Sequence, residues 1–162
     1  MKLMSLATVS RGVLVATATL ALGQGPAQAA EADDIRALLD LWETTYATAS
    51  TAEDLRSFYH ADAVYWGTLH PDPLVGWTAI GGFLQDQLAS YSQRSVEFGH
   101  PTIVVITPDL AVAIGTSSLS VTVAGGERID AEPRYTMTFL RTAKGWEIVE
   151  QHSSVILPAA AP

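Results

Sequence analysis

The chain has 162 residues, 48% of them apolar, with no cysteine and with 9 Lys plus Arg against 17 Asp plus Glu. That length accommodates one domain of ordinary size with a short appendage and excludes two large ones. A net charge of −8 argues against a phosphate-neutralising groove, so no nucleic-acid partner is expected, and thiol chemistry is impossible.

The first 29 residues read as a secretory signal peptide. Lys2 and Arg11 give a basic start, Gly12 to Leu22 an apolar core, Gly23 to Pro26 a helix break, and Ala27-Gln28-Ala29 an A-x-A end. The apolar run is shorter than the roughly 20 residues of a membrane-spanning helix, so no stable anchor is expected after cleavage. Removal of residues 1–29 takes two basic residues and no acid, leaving 133 residues with a net charge of −10. The expected location is secreted or periplasmic. Packing without disulfides must then hold the fold together, which a domain of this size can do.

In the body, Ile35, Leu38, Leu39, Trp42 and Tyr46 share one face of a first helix, with Asp33 and Asp34 where negative charge suits its start. Ser50-Thr51-Ala52-Glu53 reads as a capping box ahead of a short second helix that carries Leu55, Phe58 and Tyr59 and ends near His60. Ala63 to Trp66 forms a brief strand, and Pro71 and Pro73 mark a loop. A third helix follows, with Ile80, Phe83, Leu84, Leu88 and Tyr91 on one face. Gly81 and Gly82 weaken it, and close backbone packing would account for them.

From Ser95 onward, β-branched runs alternate with turns: Thr102–Ile106; Leu110–Ile114 continuing to Val123; Arg134–Leu140; and Trp146–Val149. Connections this short demand antiparallel pairing, giving a four-stranded meander, with Gly99-His100-Pro101 a bend in its first long strand. The fold class is therefore α+β, with helices on one face of a long, bent sheet. The domain spans residues 30–157, and residues 158–162 form a frayed tail.

Four stretches resemble the SnoaL-like group of the NTF2-like superfamily, which also includes ketosteroid isomerases, scytalone dehydratase and kinase association domains. They are Phe58–Tyr65, Gly76–Phe83, Arg134-Tyr135-Thr136, and Gly145–Val149 with His152-Ser153-Ser154. The resemblance implies a cone in which three N-terminal helices pack on a strongly curved, mainly antiparallel sheet around a pocket. It also implies a convex face that often forms homodimers. In ketosteroid isomerases the catalytic base lies just past the Phe-x-x-Asp-Ala run; the matching position here is Gly67, so that base is missing.

Other chemistry falls to a few residues. His152, within the family-like Trp-x-Ile-Val-x-x-His-x-Ser pattern, and His100, beside Pro101, are the candidate catalytic groups, each acting with a carboxylate. The competing reading makes one a histidine bonded within the sheet and the other a bulge residue. Arg134 could bind an acidic group inside a cone or form a surface or interface salt bridge. Tyr46 and Trp66 offer a polar handle on an apolar wall, and Trp77 adds to the same aromatic surface. His60 and His70 each precede an Asp by two residues but lack the converging ligands of a zinc site, and no metal or cofactor is expected. The leading expectation is a secreted, dimeric domain with a small, partly apolar ligand pocket and no assured catalysis. The alternatives are an isomerase, dehydratase or cyclase, and a homo-oligomerisation module.

Overall fold

A computed structural model describes residues 25–155, so most of the leader, residues 1–24, and the tail lie outside the described residues. The elements run α1 (Pro26–Thr48), a 3-10 helix (Ala52–Phe58), β1 (Tyr59–Trp66), β2 (Leu74–Val75), α2 (Gly76–Ser90), β3 (Tyr91–Glu97), β4 (Thr102–Thr107), β5 (Leu110–Thr116), β6 (Ser118–Val123), β7 (Arg128–Ala131), β8 (Arg134–Thr142) and β9 (Gly145–Ser154). The α+β class and the curved sheet are as expected. The helices differ in three respects. The first starts at Pro26 rather than near Asp33, the second is a 3-10 turn, and the third, which follows a brief strand as expected, does not precede the whole sheet because that strand and β2 belong to it.

The 3-10 helix is capped one position later than the sequence suggested. Asp54, not Glu53, reaches back, its Oδ2 accepting from the Ser50 and Thr51 amides at 2.8 and 3.0 Å. In α2 the indole of Trp77 lies over Gly81, where a Cβ would stand 3.0 Å from the ring. Gly82 has no such neighbour.

Six strands form one sheet in the order β2-β1-β9-β8-β5-β4, and three form a second in the order β3-β6-β7. The two are joined by continuous chain. Each of three long strands crosses from one sheet to the other at a corner: β3 to β4 at residues 98–101, β5 to β6 at Ser117, and β7 to β8 at residues 132–133. Gly99, at φ +63°, takes the left-handed backbone that the first corner needs. The Ser117 amide donates to the Pro133 carbonyl at 2.9 Å and ties the other two together.

The expected meander is incomplete. The β4-β5-β8-β9 ladders are antiparallel, but β9 lies between β8 and β1 and pairs with β1 in parallel. The intervening helices and strands supply the long crossover that parallel pairing requires. In the β8–β9 ladder, Phe139 pairs with Ile148 while Thr138 pairs with Glu150, so Val149 is an extra residue and the strand changes parity there.

The core forms where α1 and α2 cover the inner face of the six-stranded sheet. Ile35, Leu39, Trp42 and Tyr46 of α1 and Ile80, Leu84 and Leu88 of α2 meet Ala111, Ala113, Met137, Phe139 and Ile148. The start of α1 is held by Arg141 of β8, which contacts Glu31, stands 3.5 Å from Asp34 and lies over the Trp146 ring. Its far end is held by Arg94 of β3. There Nε donates to the Tyr46 carbonyl at 2.8 Å, and the guanidinium also bonds the Ala49 carbonyl.

Candidate functional site

A cavity of about 90 Å³ lies between the helices and the corner of the sheet. Its aromatic wall is Trp42 and Tyr46 of α1, stacked at 5.0 Å, with Phe98, Tyr65 and Tyr135. Alternation in the strands puts these side chains on the inner face: Tyr65 pairs with Gln151, and Tyr135 with both Ser153 and Gly115.

The wall's polar groups are neutral. Tyr135 Oη donates to the Phe98 carbonyl at 3.2 Å, and Tyr65 Oη lies near enough to the Ser153 side chain to interact with it. Gln151 accepts from the buried Tyr59 hydroxyl at 2.7 Å. Gln87, Ser117 and Ser153 add an amide and two hydroxyls. Trp42 Nε1 is buried without a hydrogen bond of good geometry, although the Tyr59 hydroxyl is near enough to interact with it.

Burial pushes the phenols of Tyr46, Tyr65 and Tyr135 up to about 12 from 10.0, because the phenolate would lose its hydration. For Tyr135 the charge of Glu43 adds to the effect. All three stay protonated donors at neutral pH. The folded state thus keeps protons that the unfolded chain releases, and this part of its stability is complete below about pH 10 and lost as pH rises toward 12. Urea midpoints should accordingly fall between about pH 9 and pH 11.5. A constant midpoint over that interval would refute the assignment.

Of the residues singled out in the sequence, Tyr46 lines this cavity. Trp66, Arg134 and His152 come together instead on the outer face of the sheet. There the Trp66 ring meets the His152 ring edge-on at 6.0 Å, and Arg134 and His152 share a shallow hollow with Ile114 and Thr136. Glu150, on the same face, accepts from Thr138 Oγ1 at 3.2 Å. Burial raises the pKa of its carboxyl, against the opposing effects of that bond and of His152. His100 is exposed at the first corner. Trp77 is held at the edge of α2, donating to Glu53 at 3.0 Å beneath the Arg56 guanidinium. His60 bonds the Asp62 amide, and His70 packs edge-on against Phe83. Among the described residues, no three His, Asp or Glu converge as a metal site would require.

The sequence reading missed Tyr65, Tyr135, Gln151 and Ser153, all of which line the cavity. The first, second and last pair are each one residue away from Trp66, Arg134 and His152. The available signal was the alternation of Arg134 to Leu140, whose apolar set begins with Tyr135.

Residues 35–158 match the family model described as the SnoaL-like domain. The chain belongs to the SnoaL-like domain family. No curated protein matches this SnoaL-like chain. Solved structures share its NTF2-like fold at low identity. One is an NTF2-like protein from Streptomyces avermitilis named as a candidate dehydratase, with TM-score 0.73 and 14% identity over 80% of this chain and 99% of that one. A ketosteroid isomerase-like protein from Erwinia carotovora atroseptica has TM-score 0.66 and 20% identity over 79% and 98%. An NTF2-like superfamily protein from Salmonella enterica has TM-score 0.66 and 16% identity over 83% and 94%. At these identities the likeness of the SnoaL-like domain to them is one of fold.

Proposed function

We propose that this SnoaL-like domain is an exported small-molecule binding protein whose cavity takes a compact, uncharged ligand carrying a hydrogen-bonding oxygen. One observation carries the reading: every polar group lining the cavity is a phenol, amide, hydroxyl or indole, with neither a carboxylate nor an imidazole among them. Such a wall can orient a carbonyl or hydroxyl compound, but it supplies no acid–base pair that titrates near neutrality. The cavity's volume is below the roughly 150 Å³ that holds benzene, which favours an aliphatic ligand of a few carbons. No cofactor is needed.

A suitable probe is 2-butanone, followed by the Trp42 indole N–H resonance. Saturable shifts, with none for acetate, are the expected result. No shift at any concentration would overturn the reading. An enzyme that uses His152 or His100 would behave differently. Here, replacing either histidine by Ala should leave 2-butanone binding unchanged, and its loss in His152→Ala would favour the isomerase, dehydratase or cyclase alternative.

Two further elements belong to this proposal. Cleavage after Ala29 would trim only the first turn of α1 and leave Glu31 and Asp34, the partners of Arg141, in place. N-terminal sequencing of the exported protein tests it. The second element is a homodimer through the outer sheet face, which exposes Val104, Ile106, Ile114 and Trp66. On that face Arg134 stands opposite Ser154, Thr136 opposite His152 and Thr138 opposite Glu150. A twofold axis through the middle row would set Arg134, unpaired among the described residues, against the row holding Glu150 of the partner subunit. Light scattering should give twice the chain mass, and Ile114→Arg should reduce it to one. A monomer at high concentration would exclude the dimer and, with it, the oligomerisation-module alternative.

A further inference from the structure

The inner wall contains a substitution of space. Gly67, buried just past the end of β1, has the side-chain direction of Tyr65, two residues earlier. A Cβ built on Gly67 would stand 2.5 Å from Tyr65 Oη, 2.6 Å from Cε1 and 2.9 Å from Cζ. No real Cβ sits so close to a ring, so the Tyr65 phenol occupies the volume that a side chain at position 67 would fill. The ring has little room to yield, being buried and 5.2 Å from the Phe83 ring, with its hydroxyl close to the Ser153 side chain. Tyr65 and Ser153 both line the cavity, whereas Gly67 does not. The ring lying on Gly67 is therefore the boundary between the cavity and the strand behind it.

We infer that Tyr65 and Gly67 act as one unit that sets the size limit of the cavity: Gly67 seats the ring, and the seated ring excludes ligands as large as a benzene ring. This rests on the binding reading above for its consequence, but not for its geometry. A methyl group at position 67 would lift the ring toward the cavity and take volume from the ligand. Removing the ring would join the space over Gly67 to the cavity and admit an aromatic molecule. The three atoms nearest to that methyl all belong to Tyr65, so removing the ring removes its closest contacts and the two positions must be coupled.

A double-mutant cycle on the whole chain tests this. Gly67→Ala should weaken 2-butanone binding about tenfold and lower the urea midpoint. Tyr65→Leu should bind phenol at least about tenfold more tightly than the unaltered chain does. Adding Gly67→Ala to Tyr65→Leu should change neither ligand affinity nor midpoint. An equal effect of Gly67→Ala in both backgrounds overturns the inference, as does an unaltered chain that takes phenol as readily as Tyr65→Leu. If Gly67→Ala alone does not fold while the double variant does, the coupling is demonstrated directly. Should no variant bind 2-butanone while the midpoints still show the coupling, the packing of Tyr65 on Gly67 stands, and the size-setting role falls together with the ligand-binding proposal.

Discussion

Arg94→Ala should destabilise the domain by about 2–4 kcal/mol, the range expected for losing two charge-assisted bonds to partly buried carbonyls. The bonds run from β3 to the carbonyls of Tyr46 and Ala49, at the end of α1. Carbonyls in the last turn of a helix have no partner along the helix, and a positive charge there also meets the negative end of its dipole. The guanidinium lies 5.8 Å from the Tyr46 ring centre as well, so the same change loosens the cavity wall. The measurement is the urea midpoint at constant m-value. Lys at this position should recover less than half of the loss, because one ammonium cannot reach both carbonyls with the geometry of the fork. A change under about 0.5 kcal/mol for Arg94→Ala would mean that α1 is held by its apolar face alone.

The second large effect is expected at Gln151. Replacing it with Leu leaves the Tyr59 hydroxyl, fully buried, without its acceptor, at a cost of about 1–3 kcal/mol. It also removes an amide from the cavity wall, and 2-butanone binding should fall about tenfold. The two losses separate in a cycle. Tyr59→Phe combined with Gln151→Leu removes donor and acceptor together and should be more stable than Gln151→Leu alone, while binding stays weak. If the double variant is no more stable than the single one, the Tyr59–Gln151 bond is not what Gln151→Leu breaks.

The sequence revealed the faces of its helices better than those of its strands. Ile35, Leu39, Trp42 and Tyr46 recur at the helical interval, and all four are buried. The Gly99-His100-Pro101 bend was equally legible, because a glycine two residues before a proline marks a break in a strand. Strand faces fail for a simpler reason: with a period of two, an error of one residue exchanges inside for outside. Trp66, Arg134 and His152 were chosen for their chemistry, whereas Tyr65, Tyr135 and Gln151 beside them face the cavity. In β9 the extra residue Val149 changes the parity midway, so no single alternation fits Trp146 to Ser154. The β1–β9 pairing joins segments over eighty residues apart and leaves no local mark in the sequence.

The corners of the three long strands bear on more than the shape of the sheet. Phe98, Ser117 and Pro133, one from each corner, all belong to the cavity wall. The crease of the sheet and the floor of the cavity are thus the same place, and the fold angle and the cavity's capacity vary together. The Tyr135 hydroxyl bonds the Phe98 carbonyl at this crease, so a change in its angle moves the aromatic wall with it. A substitution at any of these three corner positions should therefore alter the cavity's capacity and the bend of the sheet at once.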